Sequence, residues 1–218
     1  MSFPPPNTPS SPPPPPPRRP LKYVILGTVL AVVIVVGLVV YFSFFSTSAQ
    51  AKIIPASSVG SALGGSCQIE SNKSVQINKL ANGEYELTYV NGTHTTTYLS
   101  NISISLIGIV PLRGSLLQVI FSGVVEFLNC NINGQNATVN ILTMVFTNSS
   151  EANQEFSIYK AFASLYPNAS VSQSYIYYSL FDYSYGAGVR NNVFSSVVIQ
   201  GPMIGENQVL GIVNLALS

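Results

Sequence analysis

Residues 23–45 carry no charge, no proline and no side-chain amide, and Val, Ile, Leu and Phe dominate them. Wound as a helix, the run spans about 35 Å, enough for a bilayer hydrocarbon core of about 30 Å. Such a stretch buries itself in lipid more readily than in a domain this small, so the sequence predicts a transmembrane signal-anchor helix over 23–46. Arg18, Arg19 and Lys22 lie immediately before it and only Lys52 lies close after it. The positive-inside bias then places the N-terminus in the cytoplasm and the larger remainder outside the cell membrane. The lipid bilayer is the expected partner of this helix. Gly27 and Ala31 supply one small-xxx-small spacing for a homodimer, although a single such pair is common in any apolar run.

A second reading of the same region is a cleaved secretory signal, because Ala49-Gln50-Ala51 has the small-x-small form of a cleavage site. A signal core has about 7 to 15 apolar residues, so the length of this run favours the anchor. A pilin-type leader would need a small residue after the basic one, and Lys22 is followed by Tyr23. Either surviving reading exports the rest of the chain.

The expected organisation is a Pro-rich disordered tail over 1–22, the helix over 23–46, a linker over 47–54 and an exported domain over 55–218. Eleven of the 15 prolines fall in the first 20 residues, which makes the tail an extended polyproline helix without a core. Pro14, Pro17 and Arg19 match the spacing that SH3-type grooves read, but a run of six prolines produces that spacing automatically. The tail is therefore read as a solvated spacer.

Sequons for N-glycosylation stand at Asn72, Asn91, Asn101, Asn136, Asn148 and Asn168, all after the apolar run. That is the side on which glycans are attached. The only two cysteines, Cys67 and Cys130, fall on the same side, where an oxidising medium predicts one disulfide. With one histidine and no second cysteine pair, no set of four metal ligands is expected. Charged residues make up 8% of the chain and the net charge is +1. No electrostatic field recruits nucleic acid, and no cofactor is expected.

Asn91-Gly92 and Asn133-Gly134 sit inside alternating segments, the strongest short-range hairpin signal. A two-residue turn at Asn91-Gly92 pairs Tyr89 with His94, Leu87 with Thr96 and Tyr85 with Tyr98. It collects Tyr85, Leu87, Tyr89, His94 and Tyr98 on one face, with Glu84 and Glu86 on the other. A turn at Asn133-Gly134 folds 116–132 back onto 137–146, with Leu128 opposite Val139. A helix follows over 150–166, with Ser149 or Ser150 as N-cap, Pro167 as stop, and Ala152, Phe156, Tyr159, Phe162 or Ala163, and Tyr166 as its buried stripe. Strands over 175–181 and 193–200 are joined by a turn over 183–188, and Gly201-Pro202 ends the second. Residues 205–217 read as a buried helix in preference to a strand. The fold class is α+β: a transmembrane helix, then an antiparallel sheet domain with one or two packed helices.

The parts for catalysis are few. His94 is the only histidine, and no GxSxG turn accompanies it; residues 60–64 read as a helix end closed by Gly64. Glu84 and Glu86 share a strand face and read as solvated positions. Gly186-Ala187-Gly188 lacks the third glycine of a phosphate loop and reads as a turn. Glu126 interrupts an apolar strand on the face of Val124, Leu128 and Cys130. A bulge at Gly123 would turn it outward, whereas an inward carboxylate would need Arg113 or Arg190 as partner. It is the weak functional candidate. The dense tyrosines from Tyr175 to Tyr185 lack the basic neighbours of a nucleic-acid platform.

The sequence of features is a Pro-rich tail, a basic stop, a Val/Ile-rich helix, and a domain rich in Tyr, Ser and Asn with few charges. In this it resembles surface proteins of thermoacidophilic archaea of uncharacterised function, along the whole chain and without a defining motif. The resemblance implies an envelope protein facing acid and carries no catalytic residues. The expected role is a membrane-anchored extracellular binding or structural protein of the cell envelope, with envelope proteins or glycans as partners. A surface hydrolase, or an accessory subunit of an extracellular enzyme, is the alternative.

Overall fold

Asn133 and Gly134 take φ of 52° and 83°, the left-handed pair that a two-residue hairpin turn needs and that Asn-Gly adopts at little cost. This turn joins β5 (Ile120–Ile132) to β6 (Gln135–Phe146), the two longest strands, with Leu128 opposite Val139 as the alternation predicts. The computed structural model describes residues 50–98 and 120–218, which lie in one compact unit, Ala49–Ser218. The expected membrane helix, the Pro-rich tail, Asn101 and Arg113 fall outside the described residues. Among the described residues no helix is long and apolar enough to cross a membrane.

Around that hairpin the described residues build one ten-stranded antiparallel sheet. The other strands are β1 (Gly65–Ile69), β2 (Val75–Lys79), β3 (Tyr85–Tyr89), β4 (His94–Thr97), β7 (Ser170–Val171), β8 (Tyr175–Leu180), β9 (Tyr183–Arg190) and β10 (Val193–Gln200). Their order is β4-β3-β2-β5-β6-β10-β9-β8-β7. β1 shares one side of β5 with β2: it pairs with 128–132 while β2 pairs with 122–125. In the gap between them, Ser74 Oγ accepts from the Phe127 N–H at 2.9 Å and so stands in for a missing strand partner.

Helix α2 (Ser149–Ala163) covers one face of the sheet, and α1 (Ala56–Leu63) and α3 (Glu206–Ala216) cover the other. Strand alternation sorts the core accordingly. Val75, Leu87, Val125, Leu142, Met144 and Phe194 pack with α2, whereas Leu128, Val139, Ile141, Val197 and Ile199 pack with α1 and α3. The result is an antiparallel, sheet-rich α+β fold with three helices among the described residues. The helix preferred over 205–217 is α3, and Gly64 at φ 71° closes α1 as expected.

Three local expectations are corrected. Asn91-Gly92 does not form the two-residue turn: only Gly92 has positive φ, at 87°. Asn91 instead uses its side-chain oxygen to accept from the Thr93 N–H at 2.9 Å. The loop gains a residue, so Thr88 pairs with His94 and Leu87 with Thr95. One step of register turns His94 onto the face of Glu86 and Thr88, away from Tyr85 and Leu87. The N-cap of α2 is Asn148, whose Oδ1 accepts from the Glu151 N–H at 3.0 Å. The helix ends at Ala163 rather than at Tyr166, but Ala152, Phe156, Tyr159 and Ala163 are its buried stripe as expected.

The third correction concerns residues 183–188, which form most of strand β9 instead of a turn. Its glycines answer to the helix packed over them. A Cβ on Gly186 would lie 2.6 Å from Val209 Cγ1, and one on Gly188 would lie 2.7 Å from Val213 Cγ1. The Gly186-Ala187-Gly188 triplet is thus a groove for α3.

Candidate functional site

Glu126 points into the core, at 0% exposure. The register irregularity lies between Ile120 and Ser122, upstream of Gly123, and leaves the strand's alternation intact at Glu126. Arg190 does not meet it and is exposed at the end of β9. The partner of Glu126 is backbone. Both carboxyl oxygens accept from the Ile54 N–H, at 3.2 and 3.1 Å. Two further bonds hold the same stretch of chain, from the Ala51 N–H to Ser122 Oγ at 3.2 Å and from Gln76 Nε2 to the Ala51 carbonyl at 3.2 Å. Residues 50–54, part of the stretch read as linker, therefore form a strap across the sheet, with Ala51 and Ile54 buried. Burial pushes the Glu126 carboxyl up to about 7, and the Ile54 N–H offsets only part of this.

A second buried acid escaped the sequence reading. Glu155 sits on the sheet-facing side of α2 at 1% exposure, one turn before Tyr159. The stripe Ala152, Phe156, Tyr159 and Ala163 predicts that position as a neighbour of the core, yet the acid itself gives no signal of burial. Glu155 Oε2, the Tyr159 hydroxyl and the Tyr185 hydroxyl are enclosed without a hydrogen-bond partner. Burial raises Glu155 to about 7, with the nearby Tyr159 drawing it partly back. Burial also lifts Tyr178 to about 12 and raises Tyr159 and Tyr185 well above the ordinary phenol value. The rings stack in series: Tyr166 on Tyr178 at 4.6 Å between centroids, Tyr178 on Tyr185 at 4.8 Å, and Tyr185 on Tyr159 at 6.2 Å. The dense tyrosines of the sequence thus divide into a buried stack and exposed members such as Tyr183.

The most exposed large apolar side chain among the described residues is Phe181, at 85%. It occupies the first position of the β8–β9 turn with φ 54°, a conformation that costs a bulky residue roughly 1–2 kcal/mol. Leu180 and Tyr183 flank it, and the adjoining loop presents Met203 at 69% exposure. A bond from the Gly201 N–H to the Asp182 carbonyl, 2.8 Å, ties the two loops together. Together these side chains form an apolar knuckle at one end of the sheet.

The other candidates take ordinary positions. His94 is exposed on edge strand β4, and Glu84 and Glu86 are half-buried around β3. Cys67 and Cys130 are bonded to each other as a cross-strand pair between β1 and β5. The sequon residues Asn72, Asn91, Asn136, Asn148 and Asn168 are all exposed, at turns, a strand end and the margins of α2. Among the surface clefts of the described residues, one of about 550 Å³ lies beside the strap and one of about 540 Å³ beside the knuckle. Neither is lined by Glu126 or by the tyrosine stack.

Compared with known protein families, characterised proteins and solved structures, the chain matches none.

Proposed function

We propose that this is a single-pass membrane protein, N-terminus in the cytoplasm, whose exported glycosylated domain serves as a binding or structural component of the cell envelope. The apolar run over 23–45, with its basic residues on one side and its sequons on the other, supports the topology. Exposure of the five described sequon asparagines is compatible with glycans on each. The bonded Cys67–Cys130 pair suits an oxidising medium. Protease added to intact cells is expected to remove the domain and spare the tail before Lys22. Recovery of an intact domain from the medium, beginning near Lys52, would instead establish the cleaved-signal reading.

The observation that carries a binding role is the knuckle. A phenylalanine exposed to water in a backbone conformation it disfavours stabilises nothing in its own domain, and such strain collects where a side chain is held out for contact. Glycine relieves the left-handed strain, so Phe181→Gly in the full chain is expected to keep or raise the melting temperature. A photo-crosslinking residue at 181 should form adducts on intact cells that the same residue at exposed Ser157 does not. A drop of several degrees in Phe181→Gly, or equal labelling at both positions, would make the knuckle a structural feature and remove this support.

A further inference from the structure

The cleft beside the strap has a built arrangement that a binding role for the knuckle does not use. Its walls are the strap, the β9–β10 turn and the end of α3. Lys52 stands on the strap and Arg190 at the end of β9, and both line it. Both are exposed, and neither has an ion-pair partner among the described residues. No acidic side chain lines the cleft. In a chain with so few charges, two cations facing one cleft make a local positive field.

The backbone under both cations is fixed. Lys52 is bracketed by the Ala51 bond to Ser122 and the Ile54 bonds to Glu126. Arg190 pairs with Val193 across the turn, and the turn is pinned by Asn192 Nδ2 donating to the Phe146 carbonyl at 2.8 Å. The side-chain amide of Asn191 adds a neutral donor on the same wall, and Val193 and Leu217 supply apolar surface beside it. A guanidinium offers a planar fork of donors, an ammonium a compact charge, and an amide a further N–H. That set fits the several oxygens of a phosphate better than the two of a carboxylate. We propose that this cleft binds a phosphate ester, its oxygens held between Lys52 and Arg190. Two sources share that chemistry, a soluble phosphate ester and a phospholipid headgroup. The site itself does not depend on the membrane-anchored reading; only the headgroup source does.

The full chain in nonionic detergent tests both. Its melting temperature is followed against inorganic phosphate and glycerol 3-phosphate, with sodium chloride and sodium sulfate at matched ionic strength as controls, and in micelles doped with dodecyl phosphate or dodecyl sulfate. The expected result is a saturable rise of a few degrees with at least one phosphate compound and none with the controls. Lys52→Gln and Arg190→Gln should each raise the half-saturating concentration roughly tenfold or more, as loss of a charge-assisted bond predicts. They should leave the ligand-free melting temperature unchanged, and Lys160→Gln, a cation away from the cleft, should change neither quantity. A response to the soluble compounds identifies the ligand as a free phosphate ester; a response to dodecyl phosphate alone identifies a headgroup and supports the anchored reading. A rise equal to that in sulfate or chloride, no rise with any phosphate, or a phosphate response that survives both substitutions overturns the proposal.

Discussion

The full chain in detergent is expected to melt at a distinctly higher temperature at pH 4 than at pH 8. Glu126 and Glu155 are both buried without a basic partner among the described residues, and both carboxyls are raised from 4.5 to about 7 in the fold. Between those values the folded chain holds two protons that the unfolded chain releases. Their contribution is therefore fully present below about 4.5 and is lost as pH rises through about 7. At about 1.4 kcal/mol per pH unit, the gap is worth on the order of 3 kcal/mol for each acid. Two such terms are a large fraction of a typical net stability and correspond to a difference on the order of 10 °C. Glu70 acts in the opposite sense, since its contact with Lys73 holds it low, but that pair lies at the surface and contributes little. Glutamine copies the neutral acid, so Glu126→Gln and Glu155→Gln should each melt higher than the parent at pH 8 and close to it at pH 4. A flat profile from pH 4 to 8, or a parent more stable at pH 8, would overturn this account.

The second large effect belongs to the disulfide. Cys67 and Cys130 are 63 residues apart and directly opposed on β1 and β5. Closing a loop of that size in the unfolded chain is worth about 4 kcal/mol in the chain-entropy account. Cys67→Ser and Cys130→Ser are each expected to lower the melting temperature by roughly 10 °C. The double substitution should add little to either, because all three variants lose the same crosslink. Two titratable thiols in the native chain, or a double variant that loses twice as much as the singles, would contradict this.

The sequence was most legible where a local rule or a count left one answer. Asn133-Gly134 needed only its own two φ angles to fix the β5–β6 register. Two cysteines allow one pairing, and that pairing is the one formed. The apolar spacing of α2 named its buried stripe, and Gly64 marked the end of α1. Apart from the cysteine count, each depends on residues within a turn or two of one another.

Where distant parts of the chain decided the outcome, the local reading failed. Residues 183–188 look like a turn because glycine weakens a strand in isolation, yet Val209 and Val213 demand a surface without Cβ atoms there. Asn91-Gly92 carries the same dipeptide as Asn133-Gly134 but closes a longer loop, and that single residue reversed the face of His94. The burial of Glu155 and the exposure of Phe181 are invisible to composition, because each is set by what packs, or does not pack, against it. Lys52 and Arg190 meet at one cleft only after the sheet brings the strap beside the β9–β10 turn. The sequence by itself determined the elements governed by local torsion, periodicity and cysteine count. Tertiary structure alone decided which acids are enclosed, which glycines are required and which cations converge, because burial and proximity depend on residues far apart along the chain.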